Sequence, residues 1–77
     1  MEPLDHIDID PAIMGGRPRI RGTRVTVGTV LGLFAAGKRE EDVLELYPYL
    51  TAEGVRAALA YAAWRVEETD VDLMRAS

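Results

Sequence analysis

Hydrophobic residues between Thr51 and Val66 recur at the spacing of an α-helix, and they do so along two separate lines. The first line contains Val55, Ala58, Leu59, Ala62, Ala63 and Val66, and the second contains Ala57, Ala60, Tyr61 and Trp64. At about 100° per residue the two lines lie on opposite sides of one helix. A helix that is apolar on two sides must be buried against two different structures. The pattern therefore predicts a long helix whose second apolar side meets another chain or the N-terminal segment of its own chain.

Two shorter helices are predicted before this one. Thr26 is a suitable N-cap for the first helix, and Gly37 is its C-cap. The helical spacing between them is kept by Val27, Val30, Leu31, Phe34 and Ala35. The second helix covers 40–46, begins with three acids at its positive end and ends before Pro48. Its inward side is predicted to carry Val43, Leu46 and Tyr47. Residues 69–77 lose the period and are predicted to be a flexible tail.

The N-terminal segment has the alternation of short strands. Ile7 and Ile9 stand two apart between polar residues, as in a strand. The stretch 10–18 is rich in glycine and proline, which predicts turns. From Arg17 to Val27 arginine alternates with apolar residues, which predicts a β ribbon with an arginine-bearing side.

The order of the predicted helices is that of a helix-turn-helix. A short helix, a four-residue connection over 47–50 and a longer helix opening on Thr51 follow an additional first helix. The predicted fold class is therefore mainly α, a three-helix homeodomain-like helix-turn-helix with a short N-terminal β segment. In a DNA complex, the first turn of the long helix presents Thr51, Glu53 and Arg56 to the bases. The alternative is a three-helix core with no nucleic acid involved.

Length, charge and cysteine content narrow the function further. At 77 residues the chain forms one domain, divided into an N-terminal β arm over 1–25, a helical core over 26–68 and the tail. So small a domain has a marginal core, which favours a homodimer. The absence of cysteine excludes disulfides and thiolate metal sites. With no signal-peptide pattern and no apolar run of membrane-spanning length, a cytoplasmic location without membrane contact is expected.

Charge is distributed unevenly along the chain. The net charge of −4 argues against a non-specific nucleic-acid coat protein. Residues 1–12 carry four acidic residues and no lysine or arginine. Residues 13–24 carry no acidic residue and contain the arginines Arg17, Arg19, Arg21 and Arg24. A guanidinium suits phosphate and carboxylate equally. The arginines are therefore predicted to contact DNA phosphates or, alternatively, to pair with Asp5, Asp8 and Asp10 of the same or a neighbouring chain.

Catalytic chemistry has little support in the sequence. His6 is the single histidine, and no nucleophile or acid–base pair accompanies it. Asp8 and Asp10 lack the further ligands of a cation site. We therefore expect no enzyme activity, no metal or other cofactor and no small-molecule substrate. Protein contact is expected instead at Ile20, Tyr61, Trp64 and Met74, because aromatic residues are enriched at interfaces.

Three segments resemble the domain-of-unknown-function family four-three-three: DPAIMGGRPRIRGTRVTV, the ELYPYLT turn and the ALAYAAW helix, within residues 7 to 64. The resemblance implies a usually dimeric helix-turn-helix protein of a kind often found as antitoxin partner of PIN-like ribonuclease toxins. The expected function is thus an antitoxin-like DNA-binding protein that neutralises such a toxin and represses its own operon. The alternative is a dimeric protein-interaction module without DNA binding. The chain departs from the family at Gly54, where members commonly have an acid that completes a capping box.

Overall fold

The computed structural model describes the backbone of residues 5–76 and the side chains of residues 5–67. Two short strands precede three helices in the order β1 (Ile7–Asp8), β2 (Arg19–Ile20), α1 (Val27–Ala35), α2 (Glu40–Leu46) and α3 (Ala52–Ala76). The predicted fold class, mainly α with three helices and a short N-terminal β segment, is confirmed. Within the described residues, no helix is both long enough and apolar enough to cross a membrane.

The two strands pair within one chain. They run antiparallel, with Ile7 opposite Ile20 and Asp8 opposite Arg19. Between them the chain reverses through a 3-10 turn at Met14–Gly16, and all three residues of this turn have positive φ. Both isoleucines are buried in the core. The N-terminal segment is therefore packed into the folded domain at both strands, through Ile7 and Ile20.

The core forms where α1, α2 and both strands pack against the first half of α3. Its fully buried side chains of largest volume are Val30, Val43 and Val55, one from each helix. Over 52–67, the part of α3 whose side chains are described, the buried residues are Gly54, Val55, Ala57, Ala58 and Tyr61. At about 100° per residue they form one continuous arc of about 160°, which lies between the two predicted lines. Each predicted line therefore contributes two residues to one wide face, Val55 and Ala58 from the first and Ala57 and Tyr61 from the second, and helices and strands of the same chain cover this face. Contact of the exposed part of the second line, at Trp64, with another chain stays a prediction.

The predicted N-caps of α1 and α3 are confirmed, whereas the C-cap of α1 is Ala36, one residue before the predicted Gly37. The Oγ1 atom of Thr26 accepts a hydrogen bond from the Thr29 amide at 3.0 Å and caps α1. After α1, Gly37 has a φ of 92°, which favours glycine. The Oγ1 atom of Thr51 accepts a hydrogen bond from the Gly54 amide at 3.0 Å at the start of α3. These contacts satisfy amide groups that have no partner inside the helices.

Two leucines predicted to face the core are exposed. Leu31 on α1 keeps 39% of its surface and Leu46 on α2 keeps 56%. The core side of α2 is set by Val43, Leu44 and Tyr47, and Leu46 points about 100° away from their mean direction. On α1, Leu33 packs against the core in place of Leu31.

The third helix is longer than its hydrophobic pattern predicts. It continues beyond Val66 to Ala76, so residues 69–76 of the predicted flexible tail belong to α3. No glycine or proline follows Val66 to end the helix. Loss of the amphipathic period removes a reason to pack, but it does not by itself terminate a helix.

Candidate functional site

Arg19 is held inside the chain. Its Nη2 donates to Oδ2 of Asp8 at 2.7 Å, and its Nη1 donates to the carbonyl of Thr23 at 2.9 Å. Only 12% of its side chain is exposed, and Nε is buried without a hydrogen-bond partner among the described residues. Arg19 therefore ties β1 to β2 and to the turn that follows. The interpretation that pairs an arginine with the acidic N-terminal segment holds for this residue.

The other predicted arginines are more exposed than Arg19. Arg21 donates through Nε to the carbonyl of Asp5 at 3.0 Å and through Nη2 to that of Ile7 at 3.1 Å. Both of these acceptors are backbone carbonyls, so the two contacts attach Arg21 to the start of β1. Arg17 and Arg24 are exposed, and their side chains make no hydrogen bond or ion pair with the described residues. Their positions leave both guanidinium groups open to phosphate or carboxylate.

The turn after β2 presents Arg24 from a fixed backbone. The Ile20 carbonyl accepts hydrogen bonds from the Thr23 amide at 3.0 Å and from the Thr23 hydroxyl at 2.8 Å. The same hydroxyl oxygen accepts from the Val25 amide at 3.0 Å, and Gly22 supplies a φ of 81°. Thr23 was not predicted as a site residue. The Gly-Thr pair after a strand was the available sequence signal.

The helix-turn-helix places the start of α3 at the surface. The amide of Leu50 donates to the carbonyl of Tyr47 at 2.9 Å and closes the turn, with Leu50 buried. The predicted base-contacting residues Thr51, Glu53 and Arg56 are all exposed. The Thr51 hydroxyl oxygen already accepts the capping hydrogen bond. The three predicted residues are therefore together on one accessible surface.

Arg56 is paired across this surface with a carboxylate of α2. Its Nε lies 2.9 Å from Oε1 of Glu40 and its Nη2 lies 3.2 Å from Oε2, a bidentate arrangement. The hydrogen bond and the charge of Glu40 raise the pKa of Arg56 above its ordinary value. Glu53 adds a second carboxylate nearby, whose charge acts on Arg56 in the same direction. This surface has two carboxylates for one guanidinium, and sequence reasoning missed Glu40.

Two of the predicted protein-contact residues belong to the core. Ile20 keeps 5% of its surface and Tyr61 keeps 7%, so both side chains are packed within this chain, and their contact with another protein stays a prediction. Ile20 packs closely on α3, since a Cβ atom on Gly54 would lie 3.3 Å from its Cγ2. That close approach accounts for glycine at position 54. Sequence analysis had placed Ile20 on the ribbon face opposite the arginines, but it could not show that α3 covers this face.

Among the predicted protein-contact residues whose side chains are described, Trp64 is exposed to solvent, unlike Ile20 and Tyr61. It keeps 46% of its surface, and its ring centroid lies 5.9 Å from that of Tyr61. The guanidinium carbon of Arg65 lies 5.9 Å from the centre of the Trp64 ring. The side chain of Met74, also predicted as a contact, lies outside the described residues.

An apolar groove of about 470 Å³ lies between the N-terminal segment, α1 and α3. We call it the apolar groove; its lining residues are Ile9, Gly16, Pro18, Val27, Leu31, Tyr61, Ala62, Arg65 and Val66. Pro18 and Val27 also line an adjoining groove of about 530 Å³ at the start of α1, which includes Arg17. Ile9, Leu31 and Val66 keep 50%, 39% and 55% of their surfaces. Large apolar side chains therefore remain uncovered by the described part of the chain.

The side chains described here include no group of three or more histidine, aspartate and glutamate residues arranged to hold a metal ion. His6 is half-buried beside Arg21 and Thr51 in a cavity of about 230 Å³. The chemical features that the structure brings together among the described residues are arginines, carboxylates and apolar surface.

The similarities to other proteins agree with this architecture. A crystal structure of a DUF433 member protein from Anabaena variabilis ATCC 29413 is 36% identical, with a TM-score of 0.77 over 90% of this chain and 68% of that one. The uncharacterized protein y4eO of Sinorhizobium fredii (strain NBRC 101917 / NGR234) is 50% identical over 52 residues. That match covers 68% of this chain but only 24% of y4eO, so the chain spans about a quarter of that relative.

The family resemblance extends over most of the domain. The sequence profile of the family described as "Protein of unknown function (DUF433)" matches residues 7–62, from the first strand to the buried part of α3. The matched range includes both strands, α1, α2 and the turn before α3. The chain belongs to the DUF433 family.

Proposed function

We propose that this protein is an antitoxin-like protein that acts by binding a partner protein through the apolar groove. The observation that carries the proposal is the exposure of Ile9, Leu31 and Val66 around one concave surface. Grouped apolar side chains of this kind mark protein-interaction sites on small domains. A PIN-like ribonuclease as the partner is what the family resemblance implies. A cytoplasmic location fits this role.

Self-association is part of the same proposal. Trp64 is half-exposed on α3, and the helix continues past the packed body to Ala76. Because a domain of this size gains stability from an additional apolar contact, a homodimer is expected. The Trp64→Ala substitution then shifts the sedimentation coefficient from that of a dimer toward that of a monomer. A Trp64→Ala variant that still sediments as a dimer would show that Trp64 does not lie in the subunit interface.

DNA binding to the protein's own operator is the second candidate function. The observation that favours it is the closed turn between α2 and α3, which leaves the first turn of α3 exposed. Arg17 and Arg24 are the arginines positioned to contact phosphates in this proposal, and Arg19 is not, because Asp8 and Thr23 already hold it. Arg56 contacts a base only after it leaves Glu40.

A ribonuclease assay tests the first function. We expect a gene for a PIN-like ribonuclease beside the gene for this protein. That ribonuclease is purified with and without the protein, and cleavage of a labelled RNA is measured. We expect equimolar protein to stop cleavage and Leu31→Asp to restore it. The matched control is Leu46→Asp, because Leu46 is also exposed but does not line the apolar groove. Undiminished cleavage in excess protein would refute the antitoxin-like function.

Fluorescence anisotropy tests the second function. The protein is titrated against its own upstream DNA and a scrambled duplex at two salt concentrations. Tighter binding to its own sequence is expected, and Arg17→Ala or Arg24→Ala should each flatten the salt slope by about one unit. Equal binding to both duplexes, or none, would leave the helix-turn-helix as a scaffold for protein contacts.

A further inference from the structure

We infer that the apolar groove binds an acidic amphipathic segment of a different protein. This inference rests on the proposed function, because it specifies the chemistry of the partner at the same groove. The occupant is a segment with large apolar side chains along one face and carboxylates beside them.

The floor and edges of the groove define its apolar character. Val27 and Tyr61 form buried parts of the floor, and Ile9, Leu31 and Val66 stand exposed at the edges. A volume of about 470 Å³ is within the usual range of ligand-binding clefts, roughly 300 to 1,000 Å³. Apolar side chains of a partner gain free energy by filling such a cleft, because they and its walls leave water together.

The charged residues around the groove determine whether a partner segment should be acidic or basic. Arg65 and Arg17 are the charged side chains that line the apolar groove and the adjoining groove, and no aspartate or glutamate of the described residues lines either one. The guanidinium of Arg65 already lies 5.9 Å from the centre of the Trp64 ring. The positive charge that attracts a partner is therefore that of Arg17, whose side chain makes no hydrogen bond or ion pair with the described residues. The acids on both sides of Ile9 have partners within the chain. Asp8 binds Arg19 at 2.7 Å, and Oδ1 of Asp10 accepts from the Ala12 amide at 2.9 Å.

This local charge is opposite to that of the whole protein. The net charge is −4, and α2 presents an exposed carboxylate at Glu45 that makes no ion pair with the described side chains, beside Glu41, which pairs with Arg39 at 2.8 Å. An acidic segment is therefore repelled by α2 and attracted to the groove, which gives both specificity and orientation. A basic segment has the reverse preference and binds away from the groove.

Two synthetic peptides test whether the groove prefers a negatively or a positively charged partner. Both are labelled 18-residue helices with identical leucine spacing, and their polar positions are all glutamate in one and all lysine in the other. We expect the acidic peptide to bind at least about tenfold more tightly at low salt and to weaken as salt rises. The overall charge of the protein predicts the opposite order, so the acidic preference reports on the groove.

Matched variants of the full chain test the location. Leu31→Asp and Arg17→Glu are each expected to reduce affinity for the acidic peptide by about tenfold. The controls Leu46→Asp and Arg24→Glu make the same chemical changes at exposed positions outside the groove, and they should stay within about twofold of the parent. Circular dichroism of each variant establishes that it is folded before its binding is compared.

Three results would overturn the inference. They are equal affinity for both peptides, control variants as damaging as the groove variants, and a parent dimer that Leu31→Asp alone converts to monomer, which would assign the groove to a second copy. The ribonuclease assay keeps the two proposals separate. Peptide selectivity without ribonuclease inhibition rejects only the antitoxin-like role, whereas inhibition that Leu31→Asp leaves intact rejects only the groove as its site.

Discussion

Arg19 and Arg56 each hold a carboxylate from a neighbouring element, but the two pairs differ in their surroundings. Arg19 has 12% of its side chain exposed and lies 2.7 Å from Asp8, whereas Arg56 has 65% exposed and lies 2.9 Å from Glu40. Removing one partner of a buried pair leaves a charge without compensation, while an exposed pair exchanges readily with water and salt. The first pair therefore maintains the fold, and the second leaves its arginine available for another anion.

The largest effect that this contrast predicts is at Asp8. Asp8→Ala should lower the free energy of unfolding by about 2 to 4 kcal/mol, because the buried guanidinium of Arg19 loses its counter-ion. Urea unfolding followed by circular dichroism measures the change. Asp10→Ala is the control, since it removes a carboxylate that accepts one hydrogen bond, from the Ala12 amide. Equal losses for both variants would mean that the buried pair has no special role.

A smaller effect is expected when the charge of Arg19 is kept and its shape is changed. Arg19→Lys retains an ion pair with Asp8 but loses the fork that also reaches the Thr23 carbonyl. We expect a loss of about 1 to 2 kcal/mol in the same unfolding experiment. A variant as stable as the parent would show that the turn after β2 does not need this second contact.

Local signals in the sequence predicted much of the fold. Thr26, Gly37 and Thr51 mark helix ends because a cap depends on residues only a few positions away. The side of each helix that faces the core was predicted less well. Leu31 and Leu46 were expected to face the core, but both are exposed. Helical spacing identifies an apolar stripe, but the neighbouring elements decide which flank of that stripe is covered.

The candidate site depends on contacts between distant residues, which a single sequence does not specify. Arg19 and Asp8 are 11 positions apart, and Arg56 and Glu40 are 16 apart. The charge pattern gave two possible roles for the arginines and no means of assigning each one. The partner of Arg19 is determined by the tertiary structure, because the pairing of β1 with β2 places Asp8 opposite Arg19.

The smallest expected effect on stability is at Glu40, and it is the most informative about DNA. Glu40→Gln should leave the urea midpoint unchanged, since Arg56 is solvated with or without its partner. If the start of α3 contacts DNA, the released guanidinium should tighten binding several-fold and steepen the salt slope by about one unit.

Glu45→Gln separates release of Arg56 from a simple change of charge. It alters net charge identically on the same helix, at an exposed residue that makes no ion pair with the described side chains. A gain in anisotropy titrations for Glu40→Gln alone would place Arg56 at the DNA. Equal gains for both variants would indicate only weaker long-range repulsion, because each removes one negative charge from α2. No gain for either would mean that the α3 surface does not approach DNA, and the Glu40–Arg56 pair would then serve only to join α2 to α3.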